Sequence, residues 1–155
     1  MSRSSTISVY ADWMSLGGAT LMGRLHRSVV RGEEVLSFEY DRDWLKQSQP
    51  FLLDPRLQFV EGRQYTDSAN PFGLFLDSAP DRWGRLLIRR RAAMESGTAS
   101  SVLFDSDYLL AVSDTGRMGA LRFRDGAGGP FLAEDTELSV PPLQRLRELE
   151  QASLK

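Results

Sequence analysis

Residues 7–40 read ISVYADWMSLGGATLMGRLHRSVVRGEEVLSFEY, and this stretch decides the fold. Ile7 to Met14 alternates as a half-buried strand does, with Ile7, Val9, Ala11 and Trp13 on one face. Gly17-Gly18 supplies a turn. Thr20 to Val30 alternates again, Leu21, Gly23 and Leu25 against Met22, Arg24 and His26. Arg31-Gly32-Glu33 then reads as a hairpin turn into Val35, Leu36, Phe38 and Tyr40. Three strands joined by short turns predict an antiparallel meander, either open or curled into a small, partly open barrel.

Beyond Tyr40 the period changes. Asp41 to Leu45 predicts a short helical turn with Asp41 as its N-cap, closed by Pro50. Leu57 to Val60 reads as a short strand, and Phe72, Leu74, Phe75 and Leu76 as a short apolar helix. Asp81 to Met94 predicts a longer helix, with Asp81 as a first-turn acid and Ser96-Gly97 as its end. Ser106-Asp107 can cap a further helix through Val112, and Ala120 to Arg124 alternates like a returning strand. Residues 126–136 form a glycine-rich loop, and Pro141-Pro142 opens a last helix whose Leu143, Leu146 and Leu149 share a face. The fold class is therefore α+β: an antiparallel meander, short helices and a returning strand. The expected organisation is one domain over residues 1–155, with residues 1–6 disordered and residues 136–155 a terminal helix whose apolar face needs a cover. Trp13, Phe38, Trp44, Phe72, Phe75, Leu86, Leu109 and Phe123 are the expected core.

At 155 residues the chain suffices for one domain with a real core. Apolar (41%) and charged (26%) fractions are those of a globular protein, which argues against wholesale disorder. There is no cysteine, which removes disulfides, zinc–thiolate sites and cysteine nucleophiles from consideration. A single histidine, His26, rules out a multi-histidine metal site. No apolar run approaches a membrane span, and the start of the chain lacks a secretory apolar segment, so the expectation is a cytoplasmic protein without membrane contact. The basic residues are 17 arginines and two lysines, Lys46 and Lys155; neither lysine sits where a phosphate-binding enzyme would need one.

Candidate sites are few. His26 stands in a strand pattern, and without a G-x-S-x-G elbow to supply a nucleophile an ordinary surface or edge-strand histidine is the simpler reading. Arg82, Arg85, Arg89, Arg90 and Arg91 place five positive charges in ten residues with no acid, and Arg82, Arg85 and Arg89 share a helix face. A phosphate or an acidic protein surface would suit them, a solvated helix face is the plainer explanation, and the net charge of -2 disfavours nucleic acid. Gly116-Arg117-Met118-Gly119 matches neither a dinucleotide fingerprint nor a Walker A loop and reads as a tight helix-to-strand turn. Asp41 with Asp43 and Asp105 with Asp107 sit where helix caps belong.

Taken in order, several segments resemble the N-terminal region of HipA-family toxin kinases. They are Gly23-Arg24-Leu25 before a hairpin, Phe38-Glu39-Tyr40 with Trp44-Leu45, and Phe72 through Asp81 followed by Trp83-Gly84-Arg85. Asp107-Tyr108-Leu109-Leu110 and the run Arg117 through Phe123 complete the set, which covers about residues 7–125. The resemblance implies a serine/threonine protein kinase toxin of a bacterial toxin–antitoxin module, neutralised by a helix-turn-helix antitoxin. Its N-terminal region is a sheet-and-helix lobe packed on the kinase core. The family's nucleotide loop, phosphate-contacting lysine, catalytic aspartate and metal-binding aspartate lie downstream and map onto no residue here. No catalytic, cofactor-binding or metal residue is therefore assigned, and this chain alone is expected to be inactive; ATP and magnesium belong to the complete kinase.

Two arrangements follow from the resemblance. The chain is the N-terminal lobe of such a kinase, or it is the small protein of a split system that binds and inhibits a separate kinase subunit. The implied partners are a kinase core, in cis or in trans, and the antitoxin, with DNA reached only through the antitoxin. The residues nominated for protein contact are Arg82, Arg85 and Arg89 on the arginine helix and Leu143, Leu146 and Leu149 on the terminal one.

Overall fold

In a computed structural model the described residues are 4–47, 54–66, 72–96, 102–114, 117, 119–125 and 129–132. The meander forms as its alternation predicts. Strands β1 (Ser4–Ala11), β2 (Thr20–Val30) and β3 (Glu33–Tyr40) pair antiparallel, Ile7 opposite Leu25 and Leu25 opposite Phe38. The β2–β3 turn places Arg31 at φ 53° and Gly32 at φ 83°, two successive left-handed residues that match the twist of a tight hairpin. Helix α1 (Arg42–Leu45) follows, capped as expected by the Asp41 carboxylate, which accepts from the Asp43 N–H at 2.9 Å.

Strand β4 (Arg63–Tyr65) joins β3, and β5 (Leu121–Asp125) joins β1, giving one open antiparallel sheet of five strands in the order β4-β3-β2-β1-β5. The sheet does not close, so the barrel alternative falls away and the α+β class stands. Helices α2 (Gly73–Asp77), α3 (Arg82–Ser96) and α4 (Asp105–Ala111) complete the described elements.

One face of the sheet carries Ile7, Val9, Ala11, Leu25, Leu36, Phe38, Leu121 and Phe123, all buried. Trp44, Leu57, Phe72, Phe75 and Leu109 cover it, so α1, α2, α4 and the 54–57 turn form the second layer of an ordinary two-layer core. Phe38 is the hub, its ring 5.0 Å from Tyr40 and 5.6 Å from Phe75. Opposite Tyr40 lies Gly23, where a Cβ would run into the Glu39 carbonyl and the Phe38 ring; β3 can fold its Phe38 ring across β2 there only over a glycine. A bulge between Val9 and Tyr10 inserts Met22, which joins the core despite its outward position in a strict alternation.

Some expectations shift. Ser4, Ser5 and Thr6 belong to β1, opposite Ser28, Arg27 and His26, because the long β2 offers them a ladder; the expected disorder of residues 1–6 does not extend to them. The strand expected at Leu57–Val60 is a turn: Asp54 Oδ1 accepts from the Arg56 N–H at 2.9 Å and the Asp54 carbonyl from the Leu57 N–H at 3.0 Å, so the side chain diverts the backbone. Met14 leaves β1 for a single 3-10 turn, Met14–Leu16, before Gly17. Of the expected core, Trp13 packs half-buried at its edge and Leu86 lies outside it, while Ile88 is the buried apolar side chain among the described residues of α3. Residues 136–155, with their expected helix, and most of the 126–136 loop lie outside the described residues.

Candidate interaction surface

The helices are held to the sheet by buried polar contacts. Arg27 shares the core-facing side of β2 with Leu25, but at the far end of the strand, where α4 crosses. Its guanidinium grips Asp107 with NH1–Oδ1 2.7 Å and NH2–Oδ2 3.0 Å, and its Nε donates to Glu34 at 2.8 Å. Glu34 in turn accepts from the Ser106 N–H at 3.2 Å and from the Ser106 hydroxyl. Asp107 also accepts from the Phe104 N–H at 2.9 Å, satisfying a donor at the helix N-terminus. The β2–β3 hairpin and α4 thus share one fully bonded cluster.

At the other end of α4 stands Arg117, 8% exposed. It donates to the carbonyls of Leu109 (2.6 Å) and Val112 (2.9 Å) and lies over the Phe123 ring at 4.5 Å. It thereby caps the helix's last carbonyls from within the core. Burial depresses its pKa to about 10, still well above neutrality. Asp54 performs the mirror task for α2, its Oδ2 accepting from the Leu74 N–H at 3.0 Å.

Helix α3 is attached differently. It begins under an Asp81 cap, which accepts from the Gly84 N–H at 2.8 Å, and Gly84 is tight because a Cβ would meet Pro80. Arg85 pairs with Asp105 at 2.8 Å and lies over the Tyr108 ring at 5.0 Å. Arg89 donates to the Tyr108 hydroxyl at 3.3 and 3.4 Å. Two of the three nominated arginines therefore point at α4, and Arg82 is exposed on the first turn. The shared face inferred from their spacing is real for Arg85 and Arg89, and its ligand is the neighbouring helix. Leu143, Leu146 and Leu149 lie outside the described residues.

One side of α3 is largely open. Trp83 is 54% exposed and Met94 86%, with Arg90 exposed and Leu87 half-buried between them. Positions 83, 87, 90 and 94 follow a four-three-four spacing, so they form one stripe along the helix. Exposed tryptophan, methionine and arginine together are the composition of a protein contact surface.

The sheet's second face is polar. His26 sits on the central strand β2, not at an edge; its Nδ1 is 3.1 Å from the Thr6 hydroxyl and its Nε2 3.6 Å from Glu39. Burial lowers its pKa below 6.5, with Arg63 adding to the effect and Glu39 opposing it. Arg122 and Arg124 lie over the Phe131 ring at 3.6 and 3.9 Å, and Arg122 also pairs with Asp114 and Asp12. These contacts pin residues 131–132 to β5, where Phe131 bridges Arg124. They are structural contacts rather than an open cationic site.

Asp107 caps α4 as its position predicts, but sequence reasoning missed its pairing with Arg27 and the parts played by Arg27, Glu34 and Arg117. A signal existed for the first: an arginine in phase with Leu25 and Val29 on the core-facing side of a strand demands a buried anion. Glu34, one of its two anions, lies across the hairpin, but nothing in the sequence names the other, Asp107, which is eighty residues away. Among the described residues no helix is long and apolar enough to cross a membrane.

The open sheet, the helix that follows Phe72 and the α4-to-β5 return are the segments on which the resemblance to HipA proteins rests. The family model described as HipA N-terminal domain matches residues 15–124, from the 3-10 turn through β5. Searches of curated proteins and of solved structures return no match. With most of its length matched by that model, this chain belongs to the HipA N-terminal domain family.

Proposed function

We propose that this chain is the non-catalytic N-terminal lobe of a HipA-like toxin kinase in a bacterial toxin–antitoxin system. The observation that carries the reading is the family match across residues 15–124, which spans the described strands and helices that follow β1. In this reading the lobe packs on a kinase core, and the complete protein phosphorylates a protein substrate with ATP and magnesium while a helix-turn-helix antitoxin restrains it. The lobe supplies shape and contact surface, and the chemistry belongs to the core, which must position phosphate, metal and base together.

A second reading has its own support. Among the described residues the buried cluster from Ile7 to Phe123 lies between one sheet and the helices of this chain, an arrangement that suits a separately folded subunit. On that reading the chain is the small subunit of a split system and inhibits a separate kinase by binding it.

One experiment tests both. An antibody raised to this chain is used to size the native product in source cells. A band well above 17.4 kDa supports the lobe, and a band near 17.4 kDa supports the separate inhibitor. Tight magnesium-dependent binding of ATP by the 155-residue chain itself would overturn both, since each places the nucleotide site elsewhere.

A further inference from the structure

Helix α3 has two unlike sides. Gly84 and Ile88 lie on its buried side. On the opposite side Trp83, Leu87, Arg90 and Met94 fall within about 60° of arc and run about 16 Å along the axis. Trp83 and Met94 are both more than half exposed. An apolar strip left in water in this way marks a contact surface. A helix satisfies its own backbone groups, so the strip can be read only through its side chains and cannot add a strand. Its width and three-turn length suit a second helix laid along it.

Charge selects the occupant. Between Asp81 and Glu95 the sequence holds five arginines and no acid. Arg85 and Arg89 are turned to Asp105 and Tyr108. Arg90 stands inside the strip and Arg82 to one side of it; both are exposed, and among the described residues neither has an ion pair. The strip therefore offers three apolar positions around one uncompensated guanidinium. A second copy does not match it: two such strips laid together would set arginine against arginine with no acid between them. Nucleic acid does not match it either. A polyanion calls for several cations in register, and here two exposed arginines share the surface with tryptophan, leucine and methionine. What matches is an amphipathic helix with apolar residues at three-and-four spacing and a carboxylate among them.

We propose that the exposed strip of α3 is the docking site for an acidic amphipathic helix of another protein. Trp83 and Met94 are its apolar anchors, and Arg90 pairs with a carboxylate of the partner. The inference goes beyond the lobe and inhibitor readings, since it names the chemistry of a partner helix and requires neither of them.

The probe is a fluorescein-labelled helical peptide of about 18 residues, with leucines at three-and-four spacing and glutamates among and beside them. Titration with the full 155-residue chain, followed by anisotropy, should give saturable binding. The same peptide with lysine for every glutamate, or with serine for every leucine, should bind about ten-fold more weakly. Trp83→Ala and Arg90→Glu should each weaken the acidic peptide by about ten-fold, and Arg42→Glu, the same charge change at an exposed position of α1, should leave it unchanged. A second readout needs no destabilising variant: the acidic peptide should move the emission of Trp83 to the blue and shield it from acrylamide, with Trp83→Phe identifying that part of the signal. No binding, equal binding of acidic and basic peptides, or binding and emission indifferent to position 83 would overturn the proposal. A dimer of the chain alone that Trp83→Ala dissolves would overturn it by making a second copy the occupant. Tighter binding of a single-stranded oligonucleotide, lost on Arg90→Glu, would overturn it in favour of nucleic acid. None of these outcomes bears on native product size, so failure here and failure of the lobe reading are separate results.

Discussion

Arg27 and Asp107 face each other through two near-parallel hydrogen bonds of 2.7 and 3.0 Å, joining β2 to the first turn of α4. Both side chains are mostly buried, at 19% and 26% exposed, and Glu34 completes the set. Removing one member leaves a charge in a poorly solvated place. Asp107→Asn is expected to cost about 2 kcal/mol, below the full value for a buried pair because both groups keep some water. Urea unfolding of the variant against the parent reads this directly; a change under about 0.5 kcal/mol would mean that the pair is merely decorative.

The arginines of α3 should separate into two groups. Arg85 and Arg89 contact Asp105 and Tyr108, and Arg82 is exposed. Alanine at Arg85 or Arg89 is expected to lower stability by about 0.5–1 kcal/mol through lost ion-pair, hydrogen-bond and cation–π contacts. Arg82→Ala should leave the melting temperature where it is. Equal sensitivity at all three positions would contradict the contacts described for α4.

Gly23 is expected to tolerate no side chain. Its missing Cβ is the space occupied by the Phe38 ring and the Glu39 carbonyl, and a backbone carbonyl within a sheet ladder cannot step aside. Gly23→Ala should destabilise by about 3 kcal/mol, at the upper end of overpacking effects. The same change at Gly32 would act through its left-handed φ of 83°, with open space around it. Comparing the two by thermal unfolding distinguishes collision from backbone strain: Gly23→Ala should be the worse.

His26 gives the fold a mild acid sensitivity. Its folded pKa lies below the ordinary 6.5, chiefly because burial disfavours the charged ring. The unfolded chain therefore binds a proton more readily, and stability falls as pH drops through 6.5, levelling once the folded histidine also titrates. His26→Gln should flatten that segment of a stability–pH curve between pH 5 and 8. A curve unchanged by the substitution would assign the slope to other groups.

Much of this architecture is legible in the sequence, and what is not has a physical cause. The meander could be read because alternation and the Arg31-Gly32 turn are local signals. The Asp41 cap was equally local. The pattern of Leu57 to Val60 predicts a strand, but one carboxylate, Asp54, bonding both Arg56 and the distant Leu74, outweighs it and makes a turn. On α3 the nominated face was found by spacing, but spacing cannot tell whether a neighbouring helix already occupies it. Arg117 looked like part of a glycine-rich turn; its role depends on the carbonyls of α4 and the Phe123 ring, which only the fold brings together.

The sheet order carries a consequence for synthesis. β1 is built first, yet one of its two edges is filled by β5, whose last residue is Asp125. While the ribosome is still translating the helices, the nascent hairpins expose that edge together with Val9 and Ala11. An open, apolar strand edge invites pairing with other chains. The interval between emergence of β1 and arrival of β5 is therefore the stage of synthesis at which this edge is open to pairing with other chains.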